Sequence, residues 1–288
     1  MHLPFRLSIL FLIATGCSAD KGTQADTAAA SNAEGEPPAH SDEPPPDAPT
    51  EEVAIEPLFE VTGGPYDLTL APDGRLFISI EESRIDVWDP ETEWVEEHTS
   101  RAGSVFGIHW HEEHLYYTTS VHRQSGALMR LDGRDGVVLA SASGSTVFRE
   151  PSDLARAPDG RWVIPDPTVG TLFVASTDGS QVDMMDCGVE EPSTVTADEA
   201  FVYVGGTNGV VRIPWPDGAP ESIDSRTVSG LHIHGGRLLG AGPEWGVFEV
   251  GTDTRLGADE IRLAGRMVGD ETLFVADWGG AAVWAVTP

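Results

Sequence analysis

The chain has little positive charge and little sulfur. Its 288 residues include 47 acidic and 17 basic ones, giving a formal net charge of −30 at pH 7, and Lys21 is the only lysine. A surface of this sign repels phosphate backbones, which argues against nucleic acid as a partner. The only cysteines are Cys17 and Cys187, so the chain lacks a clustered cysteine motif for a metal.

A hydrophobic run long enough to span a membrane is also missing near the N-terminus. In "MHLPFRLSILFLIATGC" the apolar run Leu7 to Ile13 follows Arg6, and it is far shorter than the roughly 20 residues that a spanning helix needs. This pattern predicts a signal peptide over residues 1–16. The "ATGC" ending resembles the bacterial lipobox, in which a signal peptidase cuts before a cysteine that carries a diacylglyceryl group. The alternative is a simple signal peptide with an incidental cysteine.

A lipid on Cys17 would make the protein an extracytoplasmic, membrane-anchored lipoprotein. Ser18 follows the cysteine, where Asp would signal inner-membrane retention in the enteric pattern, so the resemblance implies the outer membrane. Whether the protein lies on its periplasmic face or on the cell surface stays open. Cys187 would then have no disulfide partner, and its strand-like segment "VDMMDC" predicts a buried, inert thiol.

Residues 17–52 form a segment of biased composition. It consists mainly of Ala, Pro, Asp, Glu, Ser and Thr, is densest in "GEPPAHSDEPPPDAP", and has no apolar periodicity. Such a segment cannot bury enough apolar surface to offset its conformational entropy. We therefore predict a disordered, acidic tether that self-repulsion keeps extended.

The rest of the chain repeats itself. "PYDLTLAPDGRLFISI" at Pro65 returns as "PSDLARAPDGRWVIPD" at Pro151. Related words recur about every 40 residues and begin at Gly63, Gly103, Arg149, Glu190, Thr227 and Ala264. Each unit holds short β-patterned runs separated by Gly, Pro and Asp turns, which predicts an all-β fold, a six-bladed β-propeller over residues 53–288. The last unit has only three strand-like runs, so we predict that Val53 to Val61 supplies its outer strand.

This repeat resembles the NHL-type and gluconolactonase/regucalcin-like (SMP-30) group of six-bladed propellers, across Val53 to Pro288. The lactonases of that group hold one divalent metal at the top of the channel. Their ligands are a Glu in an "EGP" word, an Asn in each of the second and third blades, and an Asp in the fourth. The matched positions here are Gly63, Phe106, Ser152 and Ser193. These residues are poor ligands for a hard cation, so the resemblance predicts that the lactonase metal site is absent.

Histidine pairs are the second feature that could carry chemistry. The words "HWH" (His109 to His111) and "HIH" (His232 to His234) fall at equivalent positions of the second and fifth innermost strands. Residues two apart on a strand share a face, and neutral imidazole suits transition metals. His109 and His232 are therefore candidate ligands of a divalent metal in the channel. The alternative is that these histidines pack along the inner strands and bond to backbone carbonyls.

Carboxylates supply the candidate ligand site. Asp67 and Asp153 begin innermost strands. A second set lies where the second strand of a unit turns into the third: Glu81, Glu82, Asp166, Glu244 and Asp277. Both sets of loops open onto one face of a propeller, so Asp67, Asp153, Asp166, Glu244 and Asp277 are predicted to line an acidic, ligand-binding channel mouth. Alternatively, they bond to loop N–H groups as local caps.

Two functional classes follow from these patterns. One is a non-enzymatic, monomeric binding module that holds a small molecule or a protein at the top face. The other is a diverged propeller enzyme, a lactone hydrolase or lyase that acts with or without a metal. A Ser-His-Asp word and a phosphate-cradling glycine loop are both missing from the sequence, so no catalytic residue is predicted, and propeller folds host unrelated activities.

Overall fold

The computed structural model describes residues 53–287, except 81–83, 101, 122–124, 142–147, 257–260 and 262. The predicted signal peptide, Cys17 and the predicted tether therefore lie outside the described residues. The described residues form 23 strands in six sheets. No helix among them is long and apolar enough to cross a membrane.

Each sheet is one blade, built from strands that follow one another along the chain. Blade one contains β2 (Pro65–Leu70), β3 (Leu76–Ile80), β4 (Arg84–Asp89) and β5 (Trp94–Thr99). Blade two contains β6 (Val105–His111), β7 (His114–Val121), β8 (Ser125–Asp132) and β9 (Asp135–Ser141). Blade three contains β10 (Ala155–Arg156), β11 (Trp162–Asp166), β12 (Thr171–Ala175) and β13 (Val182–Met185).

The remaining blades complete the ring. Blade four contains β14 (Thr194–Ala197), β15 (Phe201–Gly206), β16 (Gly209–Pro214) and β17 (Glu221–Asp224). Blade five contains β18 (Gly230–His234), β19 (Arg237–Gly242) and β20 (Gly246–Glu249), and blade six contains β21 (Ala264–Val268), β22 (Leu273–Asp277), β23 (Ala282–Thr287) and β1 (Ala54–Glu60). The innermost strand β2 contacts both β6 and β21, which closes the ring. The predicted all-β, six-bladed propeller is confirmed.

The predicted seam is also confirmed. β1 pairs antiparallel with β23, from Ala54 opposite Thr287 to Glu60 opposite Ala282. Phe59 of β1 stacks on Trp88 of blade one, with ring centroids 5.7 Å apart. The N-terminal strand thus completes blade six and also contacts the neighbouring blade.

Blade five departs from the predicted four strands. Among the described residues it has three, extended only by an isolated bridge between Phe248 and Arg255. The sequence period counts units but not the strands within each unit, because the outermost strand of a blade carries the weakest apolar pattern.

Tight turns at the "PDG" words form as predicted. Gly74 and Gly160 have φ of 85° and 83°, which glycine adopts without steric penalty. In each turn the glycine N–H donates to an alanine carbonyl three residues earlier, at 2.9 Å. These hairpins join the innermost strand of blades one and three to the second strand. They lie at the bottom face, and we call the opposite end, where the innermost strands begin, the top face.

The core lies between successive blades. Phe77, Ile108 and Tyr117 are buried together between blades one and two, and comparable clusters fill the other interfaces. Cys187 is a free, fully buried thiol within the cluster of blades three and four. The predicted burial of Cys187 is confirmed, and burial also raises the pKa of its thiol; its inertness stays a prediction.

Candidate functional site

A buried arginine closes the top of the channel. Arg266 lies in β21, where the strand register shifts between Ala264 and Met267, and its exposed fraction is 4%. Its guanidinium donates to backbone carbonyls of three other blades: Ser229 O at 2.6 Å, Ser152 O at 3.0 Å, and Ser193 O. One side chain therefore connects blade six to blades three, four and five.

Two buried carboxyl groups accompany this cation. Arg266 Nη1 lies 3.3 Å from Asp153 Oδ2. Burial opposes the charge of the guanidinium, but Asp153 and then Asp67 outweigh it and raise the pKa of Arg266. Burial, and next the charge of Asp153, raise the pKa of Asp67 well above its ordinary value. Burial also raises the pKa of Asp153, although Arg266 lowers it. One guanidinium therefore faces two buried carboxyl groups, and Asp153 is the one within ion-pair distance.

Both aspartates also hold blades together. Asp67 Oδ2 accepts the N–H of Ile108 in blade two at 2.7 Å. Asp153 Oδ2 accepts the N–H of Val195 at 2.8 Å and the hydroxyl of Thr194 at 3.0 Å, both in blade four. The structure therefore gives each carboxyl group a bridging contact to the next blade.

Arg266 also lines a cavity at the top face. The cavity has a volume of about 260 Å³, and most of its lining is apolar: Pro65, Tyr66, Ser193, Ser229, Pro243, Leu263, Ala264, Gly265, Arg266 and Trp278. Trp278 is 47% exposed. The cavity thus combines an apolar wall with a few polar groups at the channel axis, the usual character of a small-molecule site.

The indole of Trp278 depends on a glycine. A Cβ atom at Gly64 would lie 2.4 Å from Trp278 Cδ1, closer than any non-bonded contact allows. Gly64 therefore lets the indole lie directly against the backbone that enters blade one. This contact fixes the wall of the cavity between blades six and one.

The predicted residues Asp166, Glu244 and Asp277 are not among those that line this cavity. Asp166 is fully buried and accepts the N–H groups of Arg149 and Glu150 at 2.7 and 2.9 Å. Asp277 accepts those of Leu263 and Gly280 at 3.0 and 2.9 Å. Asp166 and Asp277 therefore cap loop N–H groups, which was the alternative to a role in ligand binding.

Glu244 is exposed on the surface, and Glu81 and Glu82 lie outside the described residues. A ligand-binding role for Asp67, Asp153, Asp166, Glu244 and Asp277 stays a prediction.

The histidines have protein contacts. His232 Nε2 and His234 Nδ1 both lie 2.9 Å from the carbonyl oxygen of Gly269 in blade six. His109 packs edge-on to Trp162 at 5.6 Å, and burial, followed by the charges of His111 and Arg156, lowers its pKa to about 4. Among the described residues, no three His, Cys, Asp or Glu side chains form a group that could hold a metal ion. Metal binding by His109 and His232 stays a prediction. For His232, the contact with the Gly269 carbonyl agrees with the alternative, in which the histidines bond to backbone carbonyls.

Two of the four positions matched to lactonase metal ligands, Ser152 and Ser193, contact Arg266 instead. The Ser152 hydroxyl donates to Ser193 O at 2.8 Å, and the Ser193 hydroxyl lies 3.4 Å from Val228 O. The carbonyls of Ser152 and Ser193 accept from Arg266. Ser152 and Ser193 do not fit a divalent ion, because their hydroxyls bond to carbonyls of the next blade and their own carbonyls accept from a guanidinium.

Comparison with known proteins supports the fold. The gluconolactonase of Xanthomonas campestris has a TM-score of 0.64 at 18% identity, over 82% of this chain and 89% of its own. The chain shares the six-bladed β-propeller fold of the gluconolactonases. Aldose sugar dehydrogenase of Streptomyces coelicolor, in its PQQ-bound form, has a TM-score of 0.62 at 14% identity, covering 82% and 98%. Virginiamycin B lyase of Staphylococcus aureus has 0.56 at 13%, covering 82% and 99%.

These similarities concern the fold and not the activity. No protein-family model matches the sequence, and no curated protein does. The three structures carry three different activities in their names, as expected for a fold that hosts unrelated chemistry. The shared fold therefore does not identify the function of this chain.

Sequence analysis did not single out Arg266, Tyr66 or Trp278. One available signal was the word "AGRMVG", which places an arginine in a strand that the repeat predicts to be innermost and buried. A buried arginine needs acidic or carbonyl partners, and Asp67 and Asp153 occupy innermost-strand words of other units.

Proposed function

We propose that the protein is an extracytoplasmic binding module that holds a small, uncharged ring compound in the top-face cavity. The observation that supports this proposal most is that Arg266, the cation at the channel axis, is bound to protein carbonyls and to Asp153. A cation occupied in this way leaves little charge for an anionic ligand. Apolar contact with Trp278, Leu263 and Pro243 would supply most of the affinity.

The size of the cavity limits the ligand. An apolar cavity of roughly 150 Å³ accommodates benzene, so the cavity of about 260 Å³ suits one or two small rings. The polar groups at its base favour a ligand with one or two oxygen atoms. Tyr66, Ser193 and Ser229 are the lining side chains that carry hydroxyls.

Binding at this cavity should depend on Trp278. We expect a panel of indole, benzyl alcohol and small lactones, titrated against the purified protein by calorimetry, to yield at least one stoichiometric binder. Trp278→Ala should weaken that binder about ten-fold or more, because it removes a large aromatic contact surface. Trp94→Ala is the matched control, since Trp94 is 76% exposed on β5 of blade one. Equal losses in both variants would count against the cavity as the site.

A second candidate function is a diverged lactone hydrolase or lyase. It is favoured by the fold shared with a gluconolactonase and a lyase and by two buried carboxyl groups, Asp67 and Asp153, whose charges act on Arg266. The discriminating measurement is ring opening of the same lactones with and without added divalent ions. Turnover would favour the enzyme, and binding without turnover would favour the module.

We also propose that Cys17 carries a diacylglyceryl lipid that anchors the protein in the outer membrane, with residues 18–52 as its tether. The "ATGC" word after a short apolar run supports this proposal. Intact mass of the membrane fraction should show the lipid, and Cys17→Ser should shift the protein to the soluble fraction. A mature soluble protein with its N-terminus elsewhere would exclude the anchor.

A further inference from the structure

A second concave site lies between blades one and two at the bottom face. The cleft has a volume of about 500 Å³, within the range of small-ligand sites. Blade one contributes Arg75, Phe77 and His98, and blade two contributes residues of its two bottom hairpins: Trp110, Glu113, His114, Leu115, Arg130, Leu131, Asp132 and Gly133. None of these residues belongs to the top-face cavity.

The floor of the cleft is aromatic, and Trp110 is its partly exposed member. Trp110 stacks on Phe77 with centroids 5.1 Å apart and an interplanar angle of 20°, and His98 meets Phe77 edge-on at 5.3 Å. Leu115 and Leu131 are buried beside them. Trp110 is only partly buried, so part of the indole is open to a ligand. A flat aromatic surface packs well against a ring with an apolar face.

The rim is polar and its charges are paired. Arg75 Nε donates to Asp73 Oδ2 at 2.8 Å, and Arg130 binds Asp132 through two contacts of 2.8 and 3.0 Å. Each guanidinium is thus held in one orientation with its charge balanced. Burial lowers the pKa of His98, which keeps that imidazole neutral at pH 7. The rim therefore offers directed donors and acceptors without an excess of positive charge.

A strained turn brings two more polar groups to this rim. β6 ends at His111 and β7 begins at His114, and these residues pair directly. The two residues between them, Glu112 and Glu113, have φ of 47° and 66°, the left-handed conformation that two-residue hairpins normally assign to Asn or Gly. Such strain at residues other than glycine is concentrated at functional sites. Here it places Glu113 and His114 at the edge of the cleft.

We propose that this bottom cleft binds a neutral saccharide of one or two hexose units. The apolar face of a pyranose ring would stack on Trp110, and its hydroxyl groups would bond to the rim. A rim of charge-paired arginines and one separate carboxylate, Glu113, suits a ligand with many hydroxyl groups better than a ligand with one charged group. The site is independent of the top-face cavity, and its failure or success does not decide the function proposed for that cavity.

The test is calorimetric titration of the full-length protein with glucose, galactose, N-acetylglucosamine, maltose and cellobiose. Glucuronic acid and glucosamine serve as charged analogues. We expect at least one neutral sugar to bind stoichiometrically and more tightly than its charged analogues. Trp110→Ala should weaken it about ten-fold or more through the lost aromatic contact. Glu113→Gln, on the exposed turn, should weaken it about three-fold or more through a lost charge-assisted hydrogen bond.

Trp94→Ala and Trp278→Ala are the controls, and both should bind the sugar as the unaltered protein does. Circular dichroism reports whether Trp110→Ala folds, and if it does not, Glu113→Gln decides. The proposal is overturned if no neutral sugar binds, if only the charged analogues bind, or if binding is indifferent to the deciding variant.

Discussion

Replacing Arg266 with methionine is expected to lower the free energy of unfolding by about 3–5 kcal/mol, the loss typical when one partner of a buried ion pair is removed. The substitution keeps an apolar stem of similar length. It removes the cation that faces Asp153 and the donor to the carbonyls of Ser152, Ser193 and Ser229. A buried carboxylate and three buried carbonyls would then lack this partner, and blade six would lose its Arg266 hydrogen bonds to blades three, four and five.

The loss should depend on pH in a predictable direction. Burial already raises the pKa of Asp67 and Asp153 in the presence of Arg266, and removal of the guanidinium should raise both further. An acid whose pKa is raised by folding binds protons more tightly in the native state, so its contribution to stability falls as pH rises. The deficit of Arg266→Met should therefore be smaller at pH 5 than at pH 7. Arg266→Met combined with Asp153→Asn should regain part of it.

Urea unfolding of the variants measures these differences. Arg161→Met is the matched control, because Arg161 pairs with Asp159 at 2.8 Å while both side chains are more than one-third exposed. A surface pair of this kind contributes about 0–1 kcal/mol. If Arg266→Met were no more destabilising than Arg161→Met, or if its deficit grew on acidification, the proposed charge network would be wrong.

The sequence predicted the fold well because a propeller repeats its local chemistry. The "PDG" turns at Pro72 and Pro158, the alternating apolar residues of the innermost strands, and the unpaired run Val53 to Val61 each depend on neighbours within one blade. Such local patterns can be recognised in the sequence even though its identity to known structures is below 20%. Blade five has three strands among the described residues instead of four. The repeat could not predict this difference, because its period does not specify an outer strand.

The site was predicted less well because it forms at the channel axis, where residues from different blades meet. Arg266 contacts Ser152, 114 residues away along the chain. The carboxylates Asp67 and Asp153 were recognised as candidates, but a sequence pattern cannot show that they share one guanidinium and bridge adjacent blades. A carboxylate that caps a loop and one that binds a ligand look alike in a single sequence, which is why the caps at Asp166 and Asp277 were found only in the structure.

The second large effect is expected at the seam of the ring. A chain beginning at residue 62 lacks β1, and it should melt far below a chain beginning at residue 53 or should aggregate during expression. The removed segment contributes Val53 and Ile55 to the core of blades five and six, and Leu58 and Phe59 to the core of blades six and one. Burying an apolar side chain of this size stabilises by about 1.5–3 kcal/mol when complete, so the partial burial of four such residues amounts to several kcal/mol.

Deletion of β1 would also expose the edge of β23, along which Val283 and Val286 are fully buried, and exposed apolar strand edges pair with other chains.

A chain beginning at residue 18 tests the tether alone, and it should melt within about one degree of the chain beginning at 53, since a segment of that composition buries no core. A synthetic peptide of residues 53–61, added to the chain beginning at 62, should restore part of the lost melting temperature by strand addition. Equal melting temperatures for the chains beginning at 53 and 62 would show that the ring closes without β1, and the seam would then contribute nothing to stability.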